Sequence, residues 1–175
     1  MEFAIHLKMC IFPPIFFLLT PNFNCMTTRA MVETYIQQIC LEIGTTADAI
    51  YSKQTDSWHF TKGSAKLQVC FVSYTTVTQT IRTFIRVFAP VYPIPTSPEK
   101  KLNVYSECMA GNRMFMGMKF ATFPEDGQLY VFGERPIDGM DYAEFSTLVG
   151  DTASWADQMD DLLVQKFGPA ATGSN

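Results

Sequence analysis

Between Thr27 and Gly168 the chain has a single histidine, His59, in the triplet Trp58-His59-Phe60. Imidazole moves protons near neutral pH, but a general base also needs a nucleophile in reach and a group to orient its ring. No G-x-S-x-G elbow supplies a serine, and the only other histidine, His6, lies in an apolar leader. A lone strand histidine beside a turn therefore reads as structural or exposed. Lys62-Gly63-Ser64 is not the G-K-[ST] of a phosphate loop, and Gly111 to Gly117 lacks G-x-G-x-x-G spacing. Asp126-Gly127 is a turn dipeptide outside any D-x-D-x-D-G run. Asp157, Asp160 and Asp161 fall on one helix face and read as solvated. The cysteines Cys10, Cys25, Cys40, Cys70 and Cys108 are odd in number, widely spaced and without C-x-x-C, which argues against a disulfide framework or a zinc site. Cys40, Cys70 and Cys108 read as small buried hydrophobes of a reducing compartment. No catalytic, cofactor or metal set emerges, and the chain reads as a non-enzyme.

The residues do supply a chemistry of contact. Arg82, Phe84, Arg86 and Phe88 alternate along one strand, and period-2 counting puts Lys66, Gln68, Phe115, Lys119, Tyr130 and Phe132 on the same sheet face. Rings and guanidinium groups combine large contact area with polar anchoring, so protein interfaces favour them. That face is the candidate interface for a protein partner or a second subunit. Methionines Met114, Met116 and Met118 suggest an alternative, a small-ligand sensor with an adaptable pocket between sheet and helices. With 13 Lys and Arg against 17 Asp and Glu, a net charge of −4, the chain lacks the broad positive field that nucleic acid requires.

The elements that must position these residues follow from periodicity. Val32, Tyr35, Ile36, Ile39, Cys40 and Ile43 form the apolar stripe of a helix capped by Thr27 or Thr28 and stopped by Gly44. Trp58 to Phe60 is a short strand, turned by residues 61–64 into a strand over 65–72. A third strand, residues 81–88, is expected to end at Pro90, Pro93 and Pro95. Ser97-Pro98-Glu99 opens a middle helix with Leu102, Tyr105 and Met109 as its apolar positions and Gly111 as its stop. Met114, Met116, Met118 and Phe120 alternate in a fourth strand, and Pro124 to Gly127 turns into a fifth carrying Leu129 and Val131. Asp138 or Asp141 caps a last helix from Phe145 to Leu163, where Gly150 could mark a kink. The predicted order is α-β-β-β-α-β-β-α: α+β, an antiparallel sheet with helices on one face. At 47% hydrophobic and 17% charged residues, one domain of this size has ample core.

Residues 1–26 read as lying outside this domain, which spans 27–168, and residues 169–175 as a disordered tail. Cys10 to Thr20 is strongly apolar, but eleven residues cannot span a bilayer as a helix, which needs about 20. The stretch fits either a start extended upstream of a true Met26 or a signal segment, although no A-x-A-like site follows it.

Several features together resemble the YbjN family, bacterial proteins labelled sensory transduction regulators, whose fold is similar to type III secretion chaperones. They are Trp58-x-Phe60, Gly63-Ser64-Ala65 opening a strand, Pro93-Ile94-Pro95, a helix ending near Asn112, the Pro124 to Gly127 hairpin, and an acidic last helix containing Ala156-Asp157. The resemblance covers roughly Met31 to Phe167. It implies a secretion-chaperone-like fold and a cytoplasmic, homodimeric regulator or chaperone-like adaptor that acts through protein contacts. It brings no catalytic residues. If residues 1–25 act as a signal segment, the location would instead be outside the cytoplasm.

Overall fold

The computed structural model describes residues 28–114, 116–123 and 125–169. The readings for the leader, for residues 170–175 and for Phe115 lie outside these. Helix α1, Thr28–Glu42, buries Val32, Ile36 and Cys40 of the predicted stripe and partly buries Tyr35 and Ile39, but it ends before Ile43, which is exposed. A one-turn helix α2, Ala47–Ile50, and a two-residue strand β1, Tyr51–Ser52, follow. Both are too short to leave a periodic signal in the sequence.

Strands β2 (Ser57–Lys62), β3 (Ala65–Thr75), β4 (Ile81–Pro93), β5 (Met118–Thr122) and β6 (Gln128–Pro136) complete a six-stranded sheet ordered β1-β2-β3-β4-β6-β5. Every pairing is antiparallel. Between β4 and β5 runs α3, Pro98–Met114, and after β6 runs α4, Tyr142–Phe167. The architecture is the expected α+β sheet. One core holds Leu67, Val69, Ile85, Val87 and Val131 of the sheet together with Val104, Phe145 and Leu163 of the helices.

Four local expectations are corrected. β4 does not stop at Pro90 but continues to Pro93, paired with β6 through a register shift between Pro90 and Tyr92. Its ladder with β3 has already ended at Gln68↔Phe88, so the proline sits where β4 has a neighbour on one side only, a place where a missing N–H costs little. Helix α3 runs past Gly111, and its buried residues are Val104 and Cys108, while Leu102 and Met109 are 68% and 69% exposed. It touches the domain along a narrow i, i+4 line, which the more apolar stripe on its other side masked. Because α3 extends to Met114, β5 starts only at Met118, and neither Met114 nor Met116 joins the apolar sheet face. Ile81 is exposed as well, lying at the β3–β4 hairpin end next to Thr75.

Helix α4 is unbroken at Gly150, and its cap is Asp141, not Asp138. The Asp141 carboxylate accepts from the Glu144 amide (2.8 Å), and Glu144 accepts in return from the Asp141 amide (3.3 Å), a capping box that satisfies two first-turn donors. No helix among the described residues is long and apolar enough to cross a membrane.

Candidate protein-binding face

Antiparallel register decides which side chains share a face, and it gathers the predicted residues other than Phe115. Across the sheet, Gln68 lies opposite Phe88, Phe88 opposite Phe132, and Phe132 opposite Lys119. Two residues along β4, Cys70, Arg86 and Glu134 form the next row; Val72, Phe84 and Pro136 form the one after. Arg82, Lys66 and Tyr130 occupy the same face by alternation. The helices cover the opposite face, where Val69, Val87 and Val131 are buried.

Phe88 and Phe132 are only 8% and 4% exposed although they sit on the side of the sheet away from the described helices. They are buried by other rings. The two stack at 5.3 Å with planes 12° apart, and Phe123 meets them edge-on at 5.7 and 5.5 Å. Tyr130 closes the group, 5.1 Å from Phe123 and 5.8 Å from Phe88. Edge-to-face and offset contacts of this kind add about 0.5–1.5 kcal/mol each beyond the area they bury. Burial, then a hydrogen bond from its hydroxyl to Asp126 (2.5 Å), pushes the Tyr130 phenol up to about 12. Phe84 pairs with Tyr74 at 5.6 Å, nearer the hairpin end.

The charges on this face are mostly positive. Arg86 lies 5.5 Å from the Phe132 ring centre and donates to Glu134 (2.6 Å); Lys119 binds the other oxygen of the same carboxylate. Burial works to raise the Glu134 pKa, but the bonds from Lys119 and Arg86 outweigh it, and the group sits below its ordinary value. A depressed carboxylate contributes stability that is present above its unfolded pKa, about 4.3, and is lost as pH falls through the lower folded value. Glu134→Gln is therefore expected to lower the urea midpoint at neutral pH and to shrink the further loss on acidification. A variant with the same acid limb as the parent would show that this ion pair does not contribute to it.

Sequence reasoning missed Phe123 and Glu134. Glu134 was legible as the residue two positions beyond Phe132 in the same strand. Phe123 lies past the end of β5, where alternation no longer assigns a side. His59 is exposed and takes part in a small polar group: its Nε2 is 3.1 Å from Ser57 Oγ, which also accepts from Gln68 (3.0 Å). Cys40 and Cys108 are buried and Cys70 is partly so, all with free thiols. Of the three methionines considered for a ligand pocket, Met114 is exposed on α3, Met116 is exposed in the turn after it, and only Met118 is buried.

No protein-family model and no curated protein matches the sequence. Solved structures match its fold. A chain of the ExsC–ExsE complex aligns with a TM-score of 0.56 at 12% identity, covering 82% of this chain and 97% of that one. A chain of the HopA1–SchA chaperone–effector complex aligns at 0.52 and 7% identity, covering 76% and 92%. YbjN from E. coli aligns at 0.47 and 12% identity, covering 79% and 91%. The chain thus has the secretion-chaperone-like α+β fold.

Proposed function

We propose that this chain is a chaperone-like adaptor that binds a partner polypeptide on the open face of its sheet, acts in the cytoplasm as a homodimer, and carries out no reaction of its own. One observation carries the reading. The face that no helix among the described residues covers holds four clustered rings and a mainly positive charge, in a chain of net charge −4. A face that sets Arg and Lys over packed, partly buried rings suits acidic protein segments that also carry apolar side chains. The fold likeness to a chain from a chaperone–effector complex supports it.

Arg82→Glu with Phe84→Ser tests the reading, because Arg82 is exposed and Phe84 is half-buried outside the four-ring cluster. Phe88 is a poorer target, since its removal would empty the cluster. Tagged parent chain at native level is expected to retain a stoichiometric partner and to scatter light as a dimer. The variant, with an unchanged melting temperature, is expected to lose at least one of the two. Retention of both would remove the sheet face as the interface.

A further inference from the structure

A second surface of different chemistry lies on the helix side of the sheet. The start of β5, the end of β6 and the first half of α4 enclose a groove of about 490 Å3. Met118, Met140 and Leu148 form its buried apolar floor, and Met116, 95% exposed, stands at its lip. Methionine side chains are flexible and polarisable, so a groove walled by them adapts to apolar side chains of differing shape.

The rim is acidic. Asp138, just ahead of α4, and Glu144 and Asp151, on α4, all line it and are all exposed. The cation among the lining residues is Arg135, whose Nη1 donates to the Glu134 carbonyl oxygen at 3.0 Å. Glu144 already accepts from the Asp141 amide in the capping box. No ion pair among the described residues engages Asp138 or Asp151. Three carboxylates against one guanidinium leave a negative rim around an apolar floor, the reverse of the ring-and-cation face on the other side.

We infer that this groove is a second docking site, for a segment of a partner polypeptide that presents apolar side chains flanked by Lys or Arg. The apolar side chain displaces water from the methionine floor while the flanking cations meet Asp138 and Asp151. Charge complementarity selects this occupant over an acidic segment, which the rim repels. The site goes beyond the sheet-face reading and does not depend on it. Because Met118 and Lys119 point to opposite faces of β5, one long partner could occupy both surfaces.

The test uses the full chain with 13C-labelled methionine methyls and a designed helical peptide of Leu and Lys, about five turns long. Saturable binding is expected, with the methyl signals of Met116, Met118 and Met140 shifting. Asp138→Asn/Asp151→Asn should weaken affinity about tenfold, as expected from losing two rim charge pairs. Asp48→Asn/Glu125→Gln, the same change in net charge elsewhere, should leave affinity unchanged, as should Arg82→Glu/Phe84→Ser. A matched Leu–Glu peptide should not bind. Absence of saturable binding, equal weakening by the two charge-neutralising pairs, or shifts confined to other methionines would overturn the assignment. Loss of binding in Arg82→Glu/Phe84→Ser would move the peptide to the sheet face and also overturn it.

Discussion

Replacing Phe145 with alanine is expected to destabilise the chain by about 3–5 kcal/mol, the range for emptying a fully buried aromatic site. Phe145 has no exposed surface and lies in the first turns of α4. Its ring sits 6.0 Å from that of Tyr35 on α1, which also contacts Tyr142 at 5.7 Å and donates to the Met140 carbonyl at 3.3 Å. Phe145 thus joins the first helix to the last one, elements more than a hundred residues apart in sequence. Truncation would leave a cavity that two helices anchored on a sheet cannot close. Urea denaturation should show a lower midpoint with an unchanged slope. Phe145→Leu, which keeps most of the volume, should cost much less. Equal costs for Leu and Ala would show that the ring does not fill the space described here.

The second large effect is expected at a position with no side chain. A Cβ on Gly133 would fall 2.6 Å from Thr152 Oγ1, 2.7 Å from Leu148 Cδ1 and 3.0 Å from Met118 Sδ. Helix α4 crosses β6 at this glycine, and the close approach depends on it. Thr152 has little room to retreat: it is fully buried, and its hydroxyl donates back to the Leu148 carbonyl at 2.7 Å. Overpacking of this sort costs about 1–3 kcal/mol, so Gly133→Ala should fall in that range and Gly133→Val at or above its top. A double-mutant cycle with Leu148→Ala should recover part of the loss, because the clash and the cavity occupy the same space. Additive costs would mean that helix and strand are farther apart than described. Since Leu148 and Met118 also floor the acidic groove, Gly133→Ala should disturb docking there as well.

Both positions illustrate what could and could not be read from the residues. Phe145 was legible: it begins a run of apolar residues at helical spacing, and such a run on a polar background has few ways to fold other than as one buried helix face. Gly133 was not, because a glycine in a strand records no partner until the helix that crosses it is in place.

Strand alternation correctly put Arg82, Phe84, Arg86, Phe88, Lys119, Tyr130 and Phe132 on one side of the sheet, since a side-chain period of 2 needs no knowledge of neighbours. It also predicted the antiparallel α+β class, because short turns between consecutive strands leave no room for crossovers. Alternation failed at Met114 and Met116, where helix α3 outran its expected stop and the strand began late. It failed again on α3 itself, where hydrophobic count favoured Leu102 and Met109 over Val104 and Cys108. A helix held along a narrow line is positioned by the shape of what it meets, and shape is absent from a residue-by-residue reading.

The sequence by itself determined the class of fold and the side of the sheet taken by Arg82, Phe84, Arg86, Phe88, Lys119, Tyr130 and Phe132, both of which follow from local spacing. Only the tertiary structure decided which rings on that face bury one another, which side of α3 turns outward, and that Asp138, Asp151 and three methionines from separate elements surround one groove. Those facts depend on distances between segments far apart in the chain, and such distances exist only once the sheet has set its register and α4 has packed across it.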